Sequence, residues 1–502
     1  MNLAELVDDE IRRHGEHVSL VFQDQHWTNV AMNRAARKLA SGLRQLGVKR
    51  GDRVAINMPN CPEVFQSFQA VWKIGAVVVP VNYLVGEAET AHIYEDCGAE
   101  TVIGSPELLP KIAAARARAQ SVKNVILIGA KTADGTFSYT DLMEAGSEQL
   151  ETVPTDDEDL ATLVYTAGTT GKPKGVMHSH HGLYSCARTV LDTLTWPENQ
   201  VTIFVLPLCH MYGLGSMVTD SLKGGGKAVV LPTFDIESIF EAMGKHRGNI
   251  FVGVPTMYVY MLLYPHPEKY DLGSMWWWQS GSAPLGLETW KAFKEKFGSE
   301  IVEGWGMTET AALSCTNPIR GPVKVGSIGK PMKGVEMKIV DSTGGDLAVG
   351  REGEIIIRTP SIMKGYWKKP RETAEVLRNG WLHTGDIGYI DEDGYFFITD
   401  RKKDLIIKAG ENIHPREIDE VICAHPKVCE AAAVGIGDDL YGEDIKAFVV
   451  LKPGEQCSQQ EIIDWCTARL KRFKSPKQVR FVEALPKNLI GKVLRRELRA
   501  MD

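Results

Sequence analysis

The 502-residue chain is too long for one hydrophobic core, so two or more domains are expected. Its 44% apolar and 24% charged residues fit a soluble globular protein, and a formal net charge of −7 excludes a general nucleic-acid binder, which needs a basic face. No run of about 18 apolar residues is present to cross a membrane, the charged start MNLAELVDDEIRRHGEH is not a secretory signal, and nine scattered cysteines without a CxxC pair predict reduced thiols in the cytoplasm.

From residue 28 to about 130, helix and strand signals alternate. Met32, Ala35, Ala36, Leu39, Leu43 and Leu46 share one helical face, and Gly47 stops that helix. RVAINMP (53–59) and AVVVPV (76–81) read as strands on either side of a helix, EVFQSFQAVWKIG (63–75). The pattern returns in TIFVLPL (202–208), KAVVLP (227–232) and IFVGVP (250–255). Such alternation predicts parallel sheets covered by helices. From about 322 to 400 the texture changes to short strands, EMKIVD, GEIIIRT and GYFFITD, separated by Gly/Asp turns. Beyond lie a helix with Pro415 in its first turn, strands AAAVGI and KAFVVL, a helix over 459–472 and a strand QVRFVE. The fold class predicted is therefore α/β. A large N-terminal domain (1–400) carries two parallel-type βαβ sheets and a small antiparallel β unit, and a small α+β C-terminal domain (401–502) follows the charged junction DRKKD.

The stretch YTAGTTGKPKG (165–175) has the composition of a phosphate loop: glycines let backbone N–H groups converge on an anion, and threonine and lysine add donors. It is not a Walker loop, because two residues rather than four separate Gly168 from Gly171, and Pro173 follows Lys172. Alone it reads equally as a polar surface turn. Three further segments share its character: EGWGMTET (303–310), the region from Gly380 to Asp419 with Asp386, Arg401, Lys403 and Gly410, and LPKNLIGKVLRREL (485–498) with Lys492. Singly, each has a bland explanation as a turn cap, a solvated charge run or a surface lysine.

Together and in this order, these motifs resemble those of the adenylate-forming enzymes: acyl-CoA synthetases, amino-acid adenylation domains and firefly luciferase. The resemblance runs from about residue 25 to the C-terminus. It implies attack of a carboxylate on the α-phosphate of ATP, then transfer to a thiol after the C-terminal domain rotates about a hinge near Lys403. The resemblance implies that Thr166, Ala167, Gly168, Thr169, Thr170, Gly171, Lys172 and Lys174 hold the β- and γ-phosphates. Thr308 donates to the α-phosphate, Glu309 binds Mg²⁺, and Lys492 contacts both carboxylate and phosphate. Asp386, with Arg401 as its cationic partner, accepts ribose hydroxyls. Gly281, Ser282 and Ala283, with Gly304, Trp305, Gly306 and Met307, flank adenine. Lys408, Ala409, Gly410 and Lys474 meet CoA. The sequence departs from the usual pattern at Ala167 (serine), at Ile490 (serine) and at Trp305 (tyrosine), where an aromatic face for adenine is expected to survive.

His210, in PLCHMYGLG (207–215), matches a residue near the substrate carboxylate, and that segment lacks the aspartate of amino-acid-activating relatives. Tyr260 and Lys291 stand where malonate-activating members need arginine, so an uncharged acyl tail is favoured. His210, Tyr258, Trp277, Gly281 and Gly306 are the expected acyl pocket. In MWWWQSGSAP (275–284), strand alternation points Trp276 and Trp278 to one face and Trp277 to the other, and the three indoles are expected to narrow the pocket. With no carrier module after Lys492, free CoA is the expected acceptor. The predicted activity is ATP-, Mg²⁺- and CoA-dependent ligation of a fatty, aromatic or alicyclic monocarboxylic acid, in the cytoplasm, without nucleic-acid partners; a homodimer is allowed. The alternatives are transfer to a carrier protein, a luciferase-like oxygenase, and a binding protein that has kept the fold without turnover.

Overall fold

The computed structural model describes residues 2–129, 136–166, 172–319, 321–438, 440–487 and 493–501. Short runs such as Arg53–Asn57, Val77–Pro80, Thr101–Gly104 and Asn124–Leu127, buried except at Arg53 and Asn124, alternate no polar face with an apolar one, so they lie side by side in the interior of a parallel sheet. This sheet has eight strands, with Leu160–Thr166 beside Val77–Pro80. Lys174–Ser179 turns back antiparallel against Leu160–Thr166, and the two-residue strand Gly365–Tyr366 closes that edge.

A second sheet has nine strands. Its parallel centre runs Ile301–Met307, Trp277–Ser280, Ile250–Gly253, Val201–Phe204, Lys227–Val230 and Val18–Phe22. One hydrophobic cluster joins both sheets: Val54, Ile56 and Val78 from the first and Phe204 and Val230 from the second meet Phe68, Leu183 and Leu214 from helices Pro62–Lys73, His180–Thr193 and Met211–Lys223. The expected antiparallel unit is present as Glu336–Val340, Gly353–Arg358, Trp381–Ile390 and Phe396–Arg401.

Sheet membership changes in the turn after Arg401. From Ile406 the chain builds a separate sheet, with Glu411–Ile413, Ile406–Lys408, Gly442–Leu451 and Val428–Asp438 in order and Gln478–Phe481 parallel to Gly442–Leu451. The helix expected over 459–472 stops at Thr467, and the basic stretch beyond it forms a 3-10 turn at Arg472–Lys474. Both large sheets send their parallel strands' carboxyl ends into the loops that carry the motifs, where α/β sheets place ligands.

Candidate functional site

Strand Ile301–Met307 ends in the 3-10 turn Thr308–Thr310. Thr310 is the anchor: its hydroxyl accepts from Met307 N–H at 3.1 Å and its carbonyl accepts from Ser361 Oγ at 2.9 Å. Thr308 and Glu309 are thereby left half-buried at the strand end. The turn is also held from the first sheet, because His178 Nε2–H donates to Thr308 O at 2.6 Å. Burial pushes the His178 imidazole down to about 4, so it is neutral and acts as a fixed donor.

The same device ties the phosphate-loop lysine to Glu309. Lys174 is ion-paired with Glu372, and its ammonium sits 5.4 Å from the centre of the Tyr366 ring. The Tyr366 hydroxyl donates to Glu309 Oε1 at 2.8 Å. Tyr366 occupies this place because Gly365–Tyr366 pairs with Val176 and Met177, two and three residues after Lys174. Thr166 ends its strand half-buried and Lys172 is exposed. Ala167, Gly168, Thr169, Thr170 and Gly171 lie outside the described residues, as does Lys492.

Asp386 and Arg401 face each other across antiparallel strands. Asp386 is 1% exposed and pairs through Oδ1 with Arg401 Nε at 2.8 Å. The neighbouring carboxylate holds the guanidinium firmly charged. Asp386 Oδ2 accepts the indole N–H of Trp305 at 3.1 Å. Trp305 itself is only 8% exposed. Its indole joins the apolar cluster that includes Val302 and Cys315. Gly306 lies so close to the next strand that a Cβ there would fall 1.5 Å from Ala312 O. Gly304 and Met307 lie in the same strand. Gly281, Ser282 and Ala283 follow the adjacent strand Trp277–Ser280, with Ser282 in the left-handed region at φ 69°.

His210 caps helix Met211–Lys223, its Nδ1 accepting Tyr212 N–H at 3.2 Å. That bond places the imidazole proton on Nε2. This helix, strands Ile250–Gly253 and Trp277–Ser280, and Ala312–Leu313 line a cavity of about 30 Å³, room for about two waters. Of the expected pocket residues, Trp277 lines this cavity. Tyr258 does not. It is fully buried on the far side of the sheet against Phe251, Trp278 and Phe293, and its hydroxyl donates to Gln279 O at 2.6 Å. The three indoles also separate differently. Trp276 and Trp277 both donate their backbone N–H to Asn249 O, and both belong to one apolar cluster while Trp278 joins the helix-side core. The second indole of the cavity comes instead from Trp196, edge-on to Trp277 at 5.3 Å. Tyr260 is exposed, and Lys291, exposed as well, pairs with Glu288.

In the C-terminal sheet, Ala409 (φ 53°) and Gly410 (φ 83°) form the two-residue turn of the hairpin Ile406–Ile413. Lys408 pairs with Asp444 at 2.5 Å, and Lys474 pairs with Glu417. Lys403 is exposed in the turn that links the sheets, where Asp404 and Leu405 N–H both donate to Arg401 O. His178, Tyr366, Glu372 and Trp196 were not singled out from sequence. The run MKGYWKKP (363–370) was the one available signal, an aromatic pair after a glycine amid lysines.

Two family models match in tandem: AMP-binding enzyme over residues 7–367 and AMP-binding enzyme C-terminal domain over 417–492. The chain belongs to the AMP-binding enzyme family. It is 36% identical to a long-chain-fatty-acid–CoA ligase of Bacillus subtilis (strain 168), over 99% of this chain and 94% of that one. It is 34% identical to a feruloyl-CoA synthase of Amycolatopsis, over 94% and 93%. Among solved structures, the anthranilate CoA ligase AuaEII in complex with anthranoyl-AMP superposes with a TM-score of 0.93 at 29% identity, covering 100% of this chain and 97% of that one. This AMP-binding enzyme is an acyl-CoA ligase, and its substrates are ATP, CoA and a small carboxylic acid. No helix among the described residues is long and apolar enough to cross a membrane.

Proposed function

We propose that this ligase activates a fatty, aromatic or alicyclic monocarboxylic acid as its acyl-adenylate, releasing pyrophosphate, and then transfers the acyl group to CoA, releasing AMP. The observation that carries the proposal is that Lys174, through Tyr366, is joined to Glu309 beside Thr308 at the end of strand Ile301–Met307. Carboxylate and triphosphate are both anions, and two unit charges about 4 Å apart repel by roughly 4 kcal/mol at an effective dielectric of 20. Lys174, with Thr166 and Lys172, offsets that charge at the β- and γ-phosphates, and Thr308 donates at the α-phosphate. Glu309, one oxygen of which is fixed by Tyr366, offers the hard oxygen donor that Mg²⁺ prefers. When bound there, the ion would neutralise phosphate charge. Asp386, paired with Arg401, accepts from ribose hydroxyls. His210 Nε2–H and the positive end of helix Met211–Lys223 orient the substrate carboxylate. Lys492 bridges carboxylate and α-phosphate in the first step. For the second, Lys408, Ala409, Gly410 and Lys474 meet CoA after rotation of the C-terminal domain (401–502) about Lys403.

The relatives named above act on chain and ring acids, and the lining of the cavity beside helix Met211–Lys223 supports an uncharged acyl tail. Its described lining contains no lysine or arginine to hold a second carboxylate. The test is pyrophosphate and AMP release by purified enzyme with CoA over fatty, aromatic, alicyclic, dicarboxylic and amino acids. Turnover is expected with at least one of the first three classes and AMP release is expected to require CoA. Turnover restricted to dicarboxylates or amino acids, or AMP release indifferent to CoA, would contradict it.

A further inference from the structure

A second, larger cavity lies where helices Glu5–His14, Asn29–Gln45, Pro62–Lys73 and Met211–Lys223 close over strands Val18–Phe22, Val201–Phe204 and Lys227–Val230. Gln200 precedes one of these strands and Lys227 begins another, so the cavity reaches their amino ends, away from the carboxyl ends that carry the motifs. Asp220 is the one residue it shares with the smaller cavity beside Trp277. Its volume is about 90 Å³, room for about six waters or a molecule of about as many heavy atoms. Part of the wall is apolar: Leu20, Met32, Met217 and the edge-on pair Phe65 and Phe204, 6.1 Å apart.

The rest of the wall offers acceptors. Asn33 Nδ2 donates to Asp8 Oδ1 at 2.7 Å, and Gln200 Nε2 donates to Asp220 Oδ1 at 2.6 Å and to Thr202 Oγ1 at 3.0 Å. These bonds fix both amides and leave Asn33 Oδ1 and Gln200 Oε1 buried without a partner in the protein, as Gln69 Oε1 is too. Asn33 is 8% exposed and Gln200 3%. Native interiors pair nearly all such groups. Two carboxylates join these oxygens. Glu10 Oε1 accepts Gly225 N–H at 3.1 Å and lies 3.2 Å from His17 Nε2. Asp220 makes no ion pair among the described residues. Burial pushes both carboxyls up, that of Asp220 to about 6; its bonds to Thr202 and Gln200 and the charge of Lys223 pull it down, and Glu10 adds to the rise. A cation beside the two would offset both burial and repulsion. Lys227 lines the cavity as well, but its charge is felt at His246 and does not figure among the groups that shift Glu10 or Asp220.

We infer that this cavity binds a short primary alkylammonium ion, its ammonium group among the oxygens of Glu10, Asp220, Asn33 and Gln200 and its chain against Phe65, Phe204 and Met217. A primary ammonium carries three donors and no acceptor, the complement of this wall, and the two rings suit a cation bearing a short chain. A bare metal cation would meet the oxygens but gain nothing from the apolar side. A neutral alcohol brings an acceptor of its own and no charge.

Calorimetric titration of the full chain at neutral pH with ethyl-, propyl- and butylammonium chlorides tests this, against potassium chloride at matched ionic strength, tetramethylammonium chloride and 1-propanol. Saturable one-site binding is expected for at least one alkylammonium. It should be about tenfold or more tighter than binding of tetramethylammonium, which has no N–H, or of 1-propanol, which has no charge. Asp220→Asn should weaken it by about tenfold or more, as when one partner of a buried charge pair is removed. Gln69→Leu, which deletes an unpaired oxygen from a half-buried side chain, reads the same loss if Asp220→Asn fails to fold. Equal binding of potassium or of the two organic controls, or affinity unmoved by the variants, overturns the inference. So does the lack of saturable binding by every alkylammonium, which would leave the cavity to water. Because the readout is binding without ATP, acid or CoA, none of these outcomes depends on the ligase reading.

Discussion

Glu303 precedes the Gly304–Gly306 segment and is buried where a carboxylate is costly. Its oxygens accept Leu285 N–H at 3.1 Å and Gly326 N–H at 3.2 Å. Burial nevertheless pushes its carboxyl up to about 7; Arg416 and the two N–H groups pull it down and Glu420 adds to the rise. The folded state thus holds this proton more tightly than the unfolded chain does. The associated stability is fully present below the ordinary glutamate value and is lost as pH rises through about 7, a change of about 3 kcal/mol. Glu303→Gln removes the titration, although it also exchanges one acceptor for a donor at a pH-independent cost. Thermal melts from pH 5 to pH 8 should show the variant gaining on the parent protein as pH rises. Parallel curves would mean that Glu303 does not titrate in this window. At this scale the sequence was informative where chemistry demands a charge, as at Asp386 and Arg401. It was silent where a side chain works through geometry. His178 is an ordinary buried histidine until the fold brings Thr308 O within 2.6 Å, and the bond from the Trp305 N–H to Asp386 has no signature in the sequence.

Elements were legible in proportion to their length and periodicity. The apolar strands of both large sheets and the helix Asn29–Gln45 announce themselves because burial on both faces, or on one helical stripe, leaves a repeating pattern. Gly365–Tyr366 could not be read, since two residues carry no period, and yet it supplies the tyrosine that orients Glu309. The faces of 276–278 were misread because alternation holds only within a strand, and the strand begins at Trp277. The tightest element contact concerns Gly306, where the register shifts between Trp305 and Gly306 and strands 301–307 and 312–316 approach too closely for any side chain. Gly306→Ala must part these strands and displace Thr308 and Glu309, which follow directly. We expect a loss of about 1–3 kcal/mol in stability, as for overpacked cores, and a fall in adenylate formation larger than the fall in folded protein. Gly437→Ala, whose Cβ would meet nothing within 4 Å, is the control and should change neither. Unaltered melting and pyrophosphate exchange in Gly306→Ala would show that the strand pair can yield without cost.

At the scale of the molecule, two steps of opposite demand share one site. Adenylation joins two anions and needs cations close by; thioester formation needs the thiol of CoA to reach the same carbonyl. The large sheets and the antiparallel unit end with Arg401, held to Asp386, and the C-terminal sheet begins at Ile406. Between them lies one short turn containing Lys403. Across it the two parts meet in polar contacts, with Arg416 N–H donating to Asp400 Oδ2 at 3.1 Å and His414 near Glu352 at 3.5 Å. Such contacts are exchangeable with water, unlike the apolar cluster that unites the two large sheets. Under the proposed mechanism, a rotation of the C-terminal sheet leaves Asp386 and its strand in place while the Ala409–Gly410 turn takes over from Lys492. Lys492→Ala separates the steps. It should abolish acid-dependent pyrophosphate exchange, by about a hundredfold or more if the lysine stabilises charge developing in the transition state. It should leave thioester formation from a supplied acyl-adenylate and CoA within a few-fold of the parent enzyme, because in the proposed mechanism the lysine has then left the site. Equal loss of both half-reactions would place Lys492 in the site throughout and exclude the exchange of the two C-terminal segments.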